Sequence, residues 1–406
     1  MPAPIPSPPS SSSSSSEEQS PHDPPQPIKP PSTPQLNPTT TRWNPFALKN
    51  VAAWSLQPQT RPLTVAKAPY TKAPAGHVVI KVFDVAINPI DWMVQENQDL
   101  KRTEYPTVLG EDVAGQVVEV GDGVVDLRIG ERVVAHCARS PSAEDHHLTP
   151  GATGAFQQYV VVQRNAIAQL PSSIRTSVGV VLPLGISTAS AGLFQKDYLN
   201  LPLPSPEQPP KPLNRVLLVW GGSSSVGSCA IQLAKAAGAI IITTASPKNF
   251  EYVKTLGAEE VFDYRAEDVE DQIVNWLQSK TVLGAFHARG GNGAVQTCAR
   301  IVDRSQGKAI VVSVRGIPSP PGDGGGDDVP KAVRTKTISA SEIFAPGNEV
   351  GPFIWKDFLP AALKSQTIVP APEALIVGEQ LRSVQLGLDT QKKGVSAQKV
   401  VISYIS

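Results

Sequence analysis

Apolar and polar positions along the chain follow two different periods. Between residues 51 and about 182, short runs of alternating or β-branched character at 78–83, 112–120 and 132–135 are separated by Gly121, Gly123 and Gly130, which predicts a β-rich unit. From 185 to about 343, apolar runs (VLLVW, IIITTAS, EEVFDY, GAFHAR, AIVVSV) alternate with stretches of helical spacing, which predicts a parallel sheet with crossover helices. Short strands return between 368 and 406 and end in 399–404. The expected fold is therefore α/β, a doubly wound parallel sheet inserted in a β-rich domain built from both ends of the chain. The expected boundaries are a tail over 1–45, the first part of the β-rich domain over 46–184, the parallel sheet over 185–343, and the return over 344–406.

The period changes most sharply within RVLLVWGGSSSVGSCAIQLAKAAG, residues 215–238. A continuous apolar run at 216–220 leads through Gly221, Gly222, Ser223, Ser224, Ser225, Val226 and Gly227 into a segment whose Val226, Ala230, Leu233, Ala234 and Ala237 share one helical face. Strand, small-residue turn and helix in this order make a phosphate site, because the first N–H groups of a helix lack acceptors and carry partial positive charge. Ser224 and Ser225 stand where the dinucleotide fingerprint often has glycine, so a turn that binds nothing is the alternative. The second strand ends in Thr244, Ala245, Ser246, Pro247, Lys248 and Asn249, without the acid that an NAD site places about 20 residues beyond its glycines. A hydroxyl and an ammonium there suit a 2′-phosphate, which favours NADPH over NADH. The alternative is that Ser246 caps a helix beginning near Asn249 and Lys248 is simply solvated.

Composition narrows the partners. The chain has 406 residues, 40% of them hydrophobic, and zero formal net charge. It has no basic block for nucleic acid or an anionic membrane, so a small molecule is the expected partner. The three cysteines, Cys137, Cys229 and Cys298, are too few and too widely spaced for a disulfide framework. The tail is crowded with proline and serine and almost lacks aliphatic residues, which predicts disorder. It lacks the pattern of a signal peptide. No apolar run of roughly 18 residues is expected, and a cytoplasmic protein fits. Two proline- or glycine-rich stretches, 199–214 and 316–330, read as surface loops.

INPIDW (87–92), PTVLGEDVAGQVVEVGDGV (106–124), GERV (130–133), GAFQQYVVV (154–162), WGGSSSVG (220–227), TASPKN (244–249), LGAEEVFDY (256–264) and KKGVSAQKVV (392–401) occur in this order. With these motifs the chain resembles the medium-chain dehydrogenase/reductase superfamily over 51–406. Within it the chain looks most like the zinc-independent, quinone-reductase-like branch that includes fungal trans-acting enoyl reductases. The resemblance implies a GroES-like catalytic domain and a Rossmann domain with the cofactor between them. It also implies that Ser246, Lys248, Asn249 and Tyr264 hold the 2′-phosphate, that Asn88, Asp91 and Trp92 approach the nicotinamide, and that Val395 and Ser396 make a C-terminal cofactor contact. Thr188, in LGISTASAGL, is a candidate donor near the nicotinamide, and a core-facing threonine is its alternative. Tyr264 could equally be a rim aromatic, and Asn88 could simply open a turn before Pro89. No general acid/base pair stands out, so Asn88 and Thr188 are the only catalytic candidates.

Asn88 and Glu111 match positions where alcohol dehydrogenases of this superfamily carry a zinc-binding Cys and His. An amide and a carboxylate make a poor zinc site, so no metal is expected; His136 and Cys137 with His146 and His147 form the residual candidate. Without a Lewis acid, conjugate reduction of an enoyl thioester, an enone or a quinone with NADPH is the expected chemistry, on a small-molecule or carrier-bound acyl substrate and in a monomer or homodimer. A zinc-free ketone reductase and a non-catalytic NADPH-binding scaffold are the competing readings. Met93 stands where related reductases often have Lys, and His287 where an acid is usual at a strand end.

Overall fold

Strands drawn from both ends of the chain build the first half of the molecule. The computed structural model describes residues 49–96, 104–138, 148–205, 210–289, 291, 293–315 and 329–404. The tail at 1–45, His146 and His147, and nearly all of the 316–330 loop lie outside the described residues. β1 (Asn50–Ser55), β2 (Thr64–Ala68) and β4 (Thr107–Val108) form a small antiparallel sheet in the order β2-β1-β4. β3 (His77–Ala86), β5 (Asp112–Val120), β6 (Arg132–His136), β7 (Tyr159–Gln163) and β8 (Ile167–Gln169) belong to a larger sheet. Its valines and alanines alternate into a core in which Val78, Ile80, Val113 and Val133 are fully buried. Helix α1 (Pro89–Gln95) follows β3, with Pro89 at its first turn and Asn88 and Asp91 forming a capping box, so its start satisfies its own N–H groups.

Two helices, α2 (Thr176–Gly179) and α3 (Pro183–Phe194), then lead out of this sheet. The run Thr176–Phe194, with mean hydropathy 1.6, is long and apolar enough to cross a bilayer, contrary to the expectation that no such run occurs. Its most apolar window is 83% buried inside the protein, and the reason is its packing. α3 lies between the two large sheets, and its small residues let neighbours approach: a Cβ on Gly185 would meet Cys229 Sγ at 2.9 Å, and one on Gly192 would meet the Phe286 ring at 2.6 Å.

The second large sheet is the expected parallel one. Its strands are β9 (Val216–Trp220), β10 (Ile240–Ala245), β11 (Glu260–Asp263), β12 (Thr281–His287), β13 (Gln306–Gly307), β14 (Ile310–Ser313) and β15 (Arg334–Thr337). The order is β11-β10-β9-β12-β14-β15, with β13 beside β12 and every pair parallel. Counted within this sheet that order reads 3-2-1-4-5-6, the doubly wound arrangement whose crevice opens at the carboxyl ends of the first and fourth strands. Those ends are Trp220 and His287. Helices α4 (Ser225–Ala236), α5 (Phe250–Leu256), α6 (Val269–Leu277) and α7 (Ala294–Asp303) are the crossovers. β13 and β15 were not expected; neither QG nor RTKT carries an apolar signal.

The chain then returns. α8 (Val350–Pro352), a π-helical turn at Phe353–Phe358 and α9 (Leu359–Ser365) form one continuous run that buries Trp355. β16 (Glu373–Glu379), α10 (Val384–Lys393) and β17 (Gln398–Ser403) close the first large sheet, in the order β16-β17-β3-β5-β6-β8 with β7 beside β3.

His287 gives this core a titration signature. It is 1% exposed, Nδ1 lies 2.8 Å from Ser313 Oγ, and Nε2 has no partner among the described residues. Burial, helped by Arg315, pushes its pKa down from 6.5 to about 4. The unfolded chain thus binds the extra proton first, and stability falls as pH drops through 6.5 toward 4. His287→Gln, which cannot titrate, is expected to remove about 2 kcal/mol of the stability loss between about pH 7 and about pH 5. Urea denaturation at the two pH values checks this; equal losses in both proteins would refute it.

Candidate active site

The glycine turn follows the end of β9, and its shape leaves no room for side chains. Gly221 has φ +85°, a left-handed conformation suited to glycine, and a Cβ there would meet the Arg289 carbonyl oxygen at 2.7 Å. A Cβ on Gly222 would lie 2.2 Å from Thr243 Oγ1, and one on Gly227 2.3 Å from the Gly221 carbonyl oxygen. Ser224 is the N-cap of α4: its Oγ accepts from Gly227 N at 3.1 Å and donates to Gly221 O at 2.8 Å. The serine that departs from the glycine fingerprint therefore builds the turn from within. Gly221 N donates to Thr244 Oγ1, which ties the turn to β10. Ser223 and Val226 are half-buried, while the Ser225 hydroxyl is buried against Gly185 of α3 with no partner among the described residues. Capping by Ser224 leaves the first N–H groups of α4, those of Ser225 and Val226, for an anion.

At the end of β10 the structure gathers three of the expected nucleotide residues. Ser246 and Asn249 are buried, and Asn249 Nδ2 donates to both Ser246 Oγ and Ser396 Oγ, each at 3.2 Å. Pro247–Asn249 is a short 3₁₀ turn ahead of α5, and the Ser246 side chain does not cap it, so the simple capping reading does not hold. Lys248 is exposed and has no hydrogen bond or ion pair among the described residues. Val395 is half-buried against the core beside Ser396. Tyr264 follows Asp263, which pairs with Ala245 just ahead of Ser246; its exposed ring packs under the Arg265 guanidinium, which also donates to its hydroxyl at 3.2 Å.

A buried polar network lies where α1, β5, β6, α3 and β17 converge. Asp112 is fully buried; Leu184 N donates to its Oδ1 at 2.7 Å, Asn88 Nδ2 to its Oδ2 at 2.8 Å, and Lys399 Nζ lies 2.9 Å from the same oxygen. Lys399 also donates to Asn88 Oδ1. Asn88 N donates to Asp91 Oδ2 at 2.7 Å. Burial, reinforced by Glu111, holds the Asp91 carboxyl well above its ordinary pKa. Beside this lies a second chain of bonds: Glu111 Oε2 to His136 Nε2 at 3.0 Å, His136 Nδ1 to Ser187 Oγ at 2.9 Å, and Trp355 Nε1 donating to Ser187 Oγ at 3.2 Å. Trp92 Nε1 donates to Gln391 Oε1 on α10, and Lys392 pairs with Glu96, so α1 is clamped to the returning chain.

These positions correct and extend the sequence reading. Thr188 donates its hydroxyl to Leu184 O at 2.7 Å within α3, so it is not a free donor. Asn88 does cap a helix, yet its side chain is held by two charged partners. Lys399, Asp112, Ser187 and Trp355 were not singled out as site residues; Glu111 was noted at a zinc-ligand position and His136 as part of the residual metal candidate. A lysine opening the apolar run KVVIS was the available signal, because a lysine is rarely buried without a partner.

The donors at the expected zinc-ligand positions are bonded to other side chains. The only lone-pair atom of the Asn88 amide already receives the Lys399 ammonium, a fixed cation at that place. Among the described residues no three His, Cys, Asp or Glu side chains gather as a metal group. Burial and then Asp112 and Glu111 push the Cys137 thiol well above its ordinary pKa.

Comparison with known proteins follows the same outline. Residues 74–172 match the alcohol dehydrogenase GroES-like domain and residues 225–345 the zinc-binding dehydrogenase family. The dehydrogenase pigH of Monascus ruber is 40% identical over 87% of this chain and 99% of its own length. The trans-enoyl reductase himH of Aspergillus japonicus is 37% identical over 88% of this chain and 98% of its own. The mycobacterial protein Rv1454c, solved in complex with NADPH, shares the fold with a TM-score of 0.63 at 20% identity, over 87% of this chain and all of that one.

Two substitutions test the geometry. Lys399→Met strands the Asp112 charge in the core and is expected to cost about 3–5 kcal/mol; Asp112→Leu in the same chain should recover much of it, as urea unfolding of the two variants would reveal. Gly222→Ala should leave the fold cooperative but weaken nucleotide binding at least about tenfold, since the turn must shift to clear Thr243. Unchanged affinity in a fluorescence titration would count against the turn as the phosphate site.

Proposed function

The chain belongs to the medium-chain dehydrogenase/reductase superfamily, in its quinone-reductase-like branch, and from that premise we propose that this oxidoreductase uses NADPH to reduce an activated C=C bond or a quinone, without zinc. The boundaries 46–184, 185–343 and 344–406 are proposed as its catalytic, nucleotide and returning catalytic segments. One observation supports the zinc-free reading: Lys399 donates to the Asn88 amide oxygen and His136 bonds one oxygen of the Glu111 carboxylate, the side chains at the expected metal-ligand positions. A ketone or alcohol reaction needs an electrophile at oxygen. Conjugate reduction needs chiefly positioning and donors for an enolate oxygen.

When bound, NADPH supplies hydride from the nicotinamide to the substrate's β-carbon. The residues of this chain suit the rest of the cofactor. The cradle of Gly221, Gly222 and Gly227 would hold the pyrophosphate with Ser223, Ser224, Ser225 and Val226. Ser246, Lys248 and Asn249 would hold the 2′-phosphate, with no acid after β10 to repel it, and Ser396 reaches Asn249 from the returning chain. The buried cluster behind Asn88, Asp91 and Trp92 would form a rigid floor for the nicotinamide. The substrate proposed is a small molecule or a carrier-bound acyl chain; the trans-enoyl reductase relative supports an enoyl group.

The test is direct. Purified protein is expected to bind NADPH at least about tenfold more tightly than NADH, with Lys248→Glu abolishing the preference, as charge-assisted contacts of this kind allow. NADPH should then be consumed with an enone and not with the matching saturated ketone. Consumption with both would favour a ketone reductase, and binding without consumption a non-catalytic NADPH protein.

A further inference from the structure

The glycine turn and the nucleotide crevice lie at the carboxyl ends of the parallel strands. The amino ends, on the opposite edge of the sheet, carry a feature that the proposed reaction does not use. Arg215 directly precedes β9, Lys280 precedes β12, Lys308 lies between β13 and β14, and Arg334 opens β15. Lys211 runs beside Gly238, just ahead of β10: a Cβ on that glycine would meet the Lys211 carbonyl oxygen at 2.0 Å. The register makes these residues neighbours, since Val216 and Gly307 both pair with Val282, and Ile310 pairs with Arg334. Basic side chains thus stand at the starts of five adjacent strands, β10-β9-β12-β14-β15. At the usual strand spacing the row is about 19 Å long.

No acid balances this row. Lys211, Arg215 and Arg334 are exposed, and among the described residues none of the five forms an ion pair. Their partners are neutral: Lys308 Nζ donates to Leu199 O at 2.7 Å, and Lys280 Nζ donates to Trp276 O and sits 4.0 Å over the Trp276 ring. Burial, and then Arg215 and Arg334, lower the pKa of Lys308 from its ordinary value, as expected of three cations that face one another. The acids nearby are otherwise placed. Asp197 pairs with Lys336 at 3.5 Å, Glu259 and Glu260 stand beyond β10 at the start of β11, and Asp303 ends α7. On the helical face of the same sheet, by contrast, Arg300 and Arg304 pair with Glu270 and Asp271. Like charges side by side on a sheet are destabilising. In a chain of zero net charge the row is a local excess that a complementary acidic surface would offset.

We propose that this amino edge of the parallel sheet is a docking surface for an acidic segment, rich in Asp and Glu, of a partner protein. The row is elongated, which suits a string of carboxylates along an extended chain more than one compact phosphate. Trp276 and Tyr198, the aromatics beside it, lie under Lys280 and Lys336 and are not open for base stacking, which favours a peptide over a nucleic acid. The edge is at the far end of the strands from Trp220 and His287, so a partner seated there leaves the crevice free. Such a partner acts as a tether and not as a substrate. The inference stands independently of the oxidoreductase reading.

The experiment titrates the full chain with a fluorescein-labelled oligoglutamate peptide, read by anisotropy at low and at physiological salt. Wild type is expected to bind, and to bind more weakly as salt rises. Arg215→Glu combined with Arg334→Glu should weaken binding at least about tenfold without lowering the urea unfolding midpoint. The control pair Lys364→Glu with Lys393→Glu, both exposed on the returning chain, should bind like wild type. Absence of binding, or an equal loss in the two pairs, would overturn the proposal. So would displacement of the peptide by inorganic phosphate or by an oligothymidylate at matched ionic strength, which would assign the row to a compact anion or to nucleic acid. Binding that appears only in Asp327→Asn with Asp328→Asn, two acids outside the described residues, would assign the row to the chain's own acidic stretch and overturn the partner.

Discussion

A single buried charge organises the site. Asp112 has no exposed surface, and a carboxylate in that position is tolerable only if its oxygens are fully supplied with donors and a countercharge. The donors come from three distant parts of the chain: the loop that starts α1, the backbone at the head of α3, and a lysine on β17. Each must arrive for the others to be stable. The same demand fixes Asn88, since its amide is caught between the carboxylate and the ammonium, and fixes the first turn of α3, since its backbone is bound to β5. Once α3 is held there, Ser187 faces His136 and Gly192 faces Phe286, and the helix becomes the joint between the two large sheets.

Much of this was legible in the sequence because it follows local rules. The strand, turn and helix at 216–236 announce themselves by a change of period, and the doubly wound sheet follows from that repetition. The return of the chain into the first sheet was legible from the short apolar runs near the end. β15 was not, because RTKT gains its place from pairing with β14 and not from its own side chains. Thr188 misled for a related reason: a hydroxyl in an apolar helix can serve a ligand or bond back to its own helix, and sequence alone does not distinguish these. Tyr264 was grouped with the phosphate residues by motif, with a rim aromatic as its alternative; it is exposed, next to the strand that ends at Ala245, and bonded to Arg265.

The polar network was the least legible part. Asp112, His136, Ser187 and Lys399 lie far apart in sequence and occupy four different elements. No spacing rule links them. Their pairing emerges only from the register that brings Asp112 opposite His136 and Val401 opposite Ala86. His136 was noticed only as a residual metal candidate and Glu111 only as the replacement at a zinc-ligand position, and the structure bonds them to each other.

The pairing of β17 with β3 has a consequence for how the molecule comes into being. Residues more than three hundred positions apart meet in that ladder, and the strand that completes it also carries Lys399, while the loop just before it carries Ser396. During synthesis the parallel sheet and its glycine turn leave the ribosome well before either residue exists outside it. For that interval Asp112 lacks its countercharge, and long-range strand pairing of this kind is slow to form. Until β17 emerges the chain has the glycine turn ahead of α4 but not the lysine that balances Asp112, and β17 is the strand that ties the returning chain to β3.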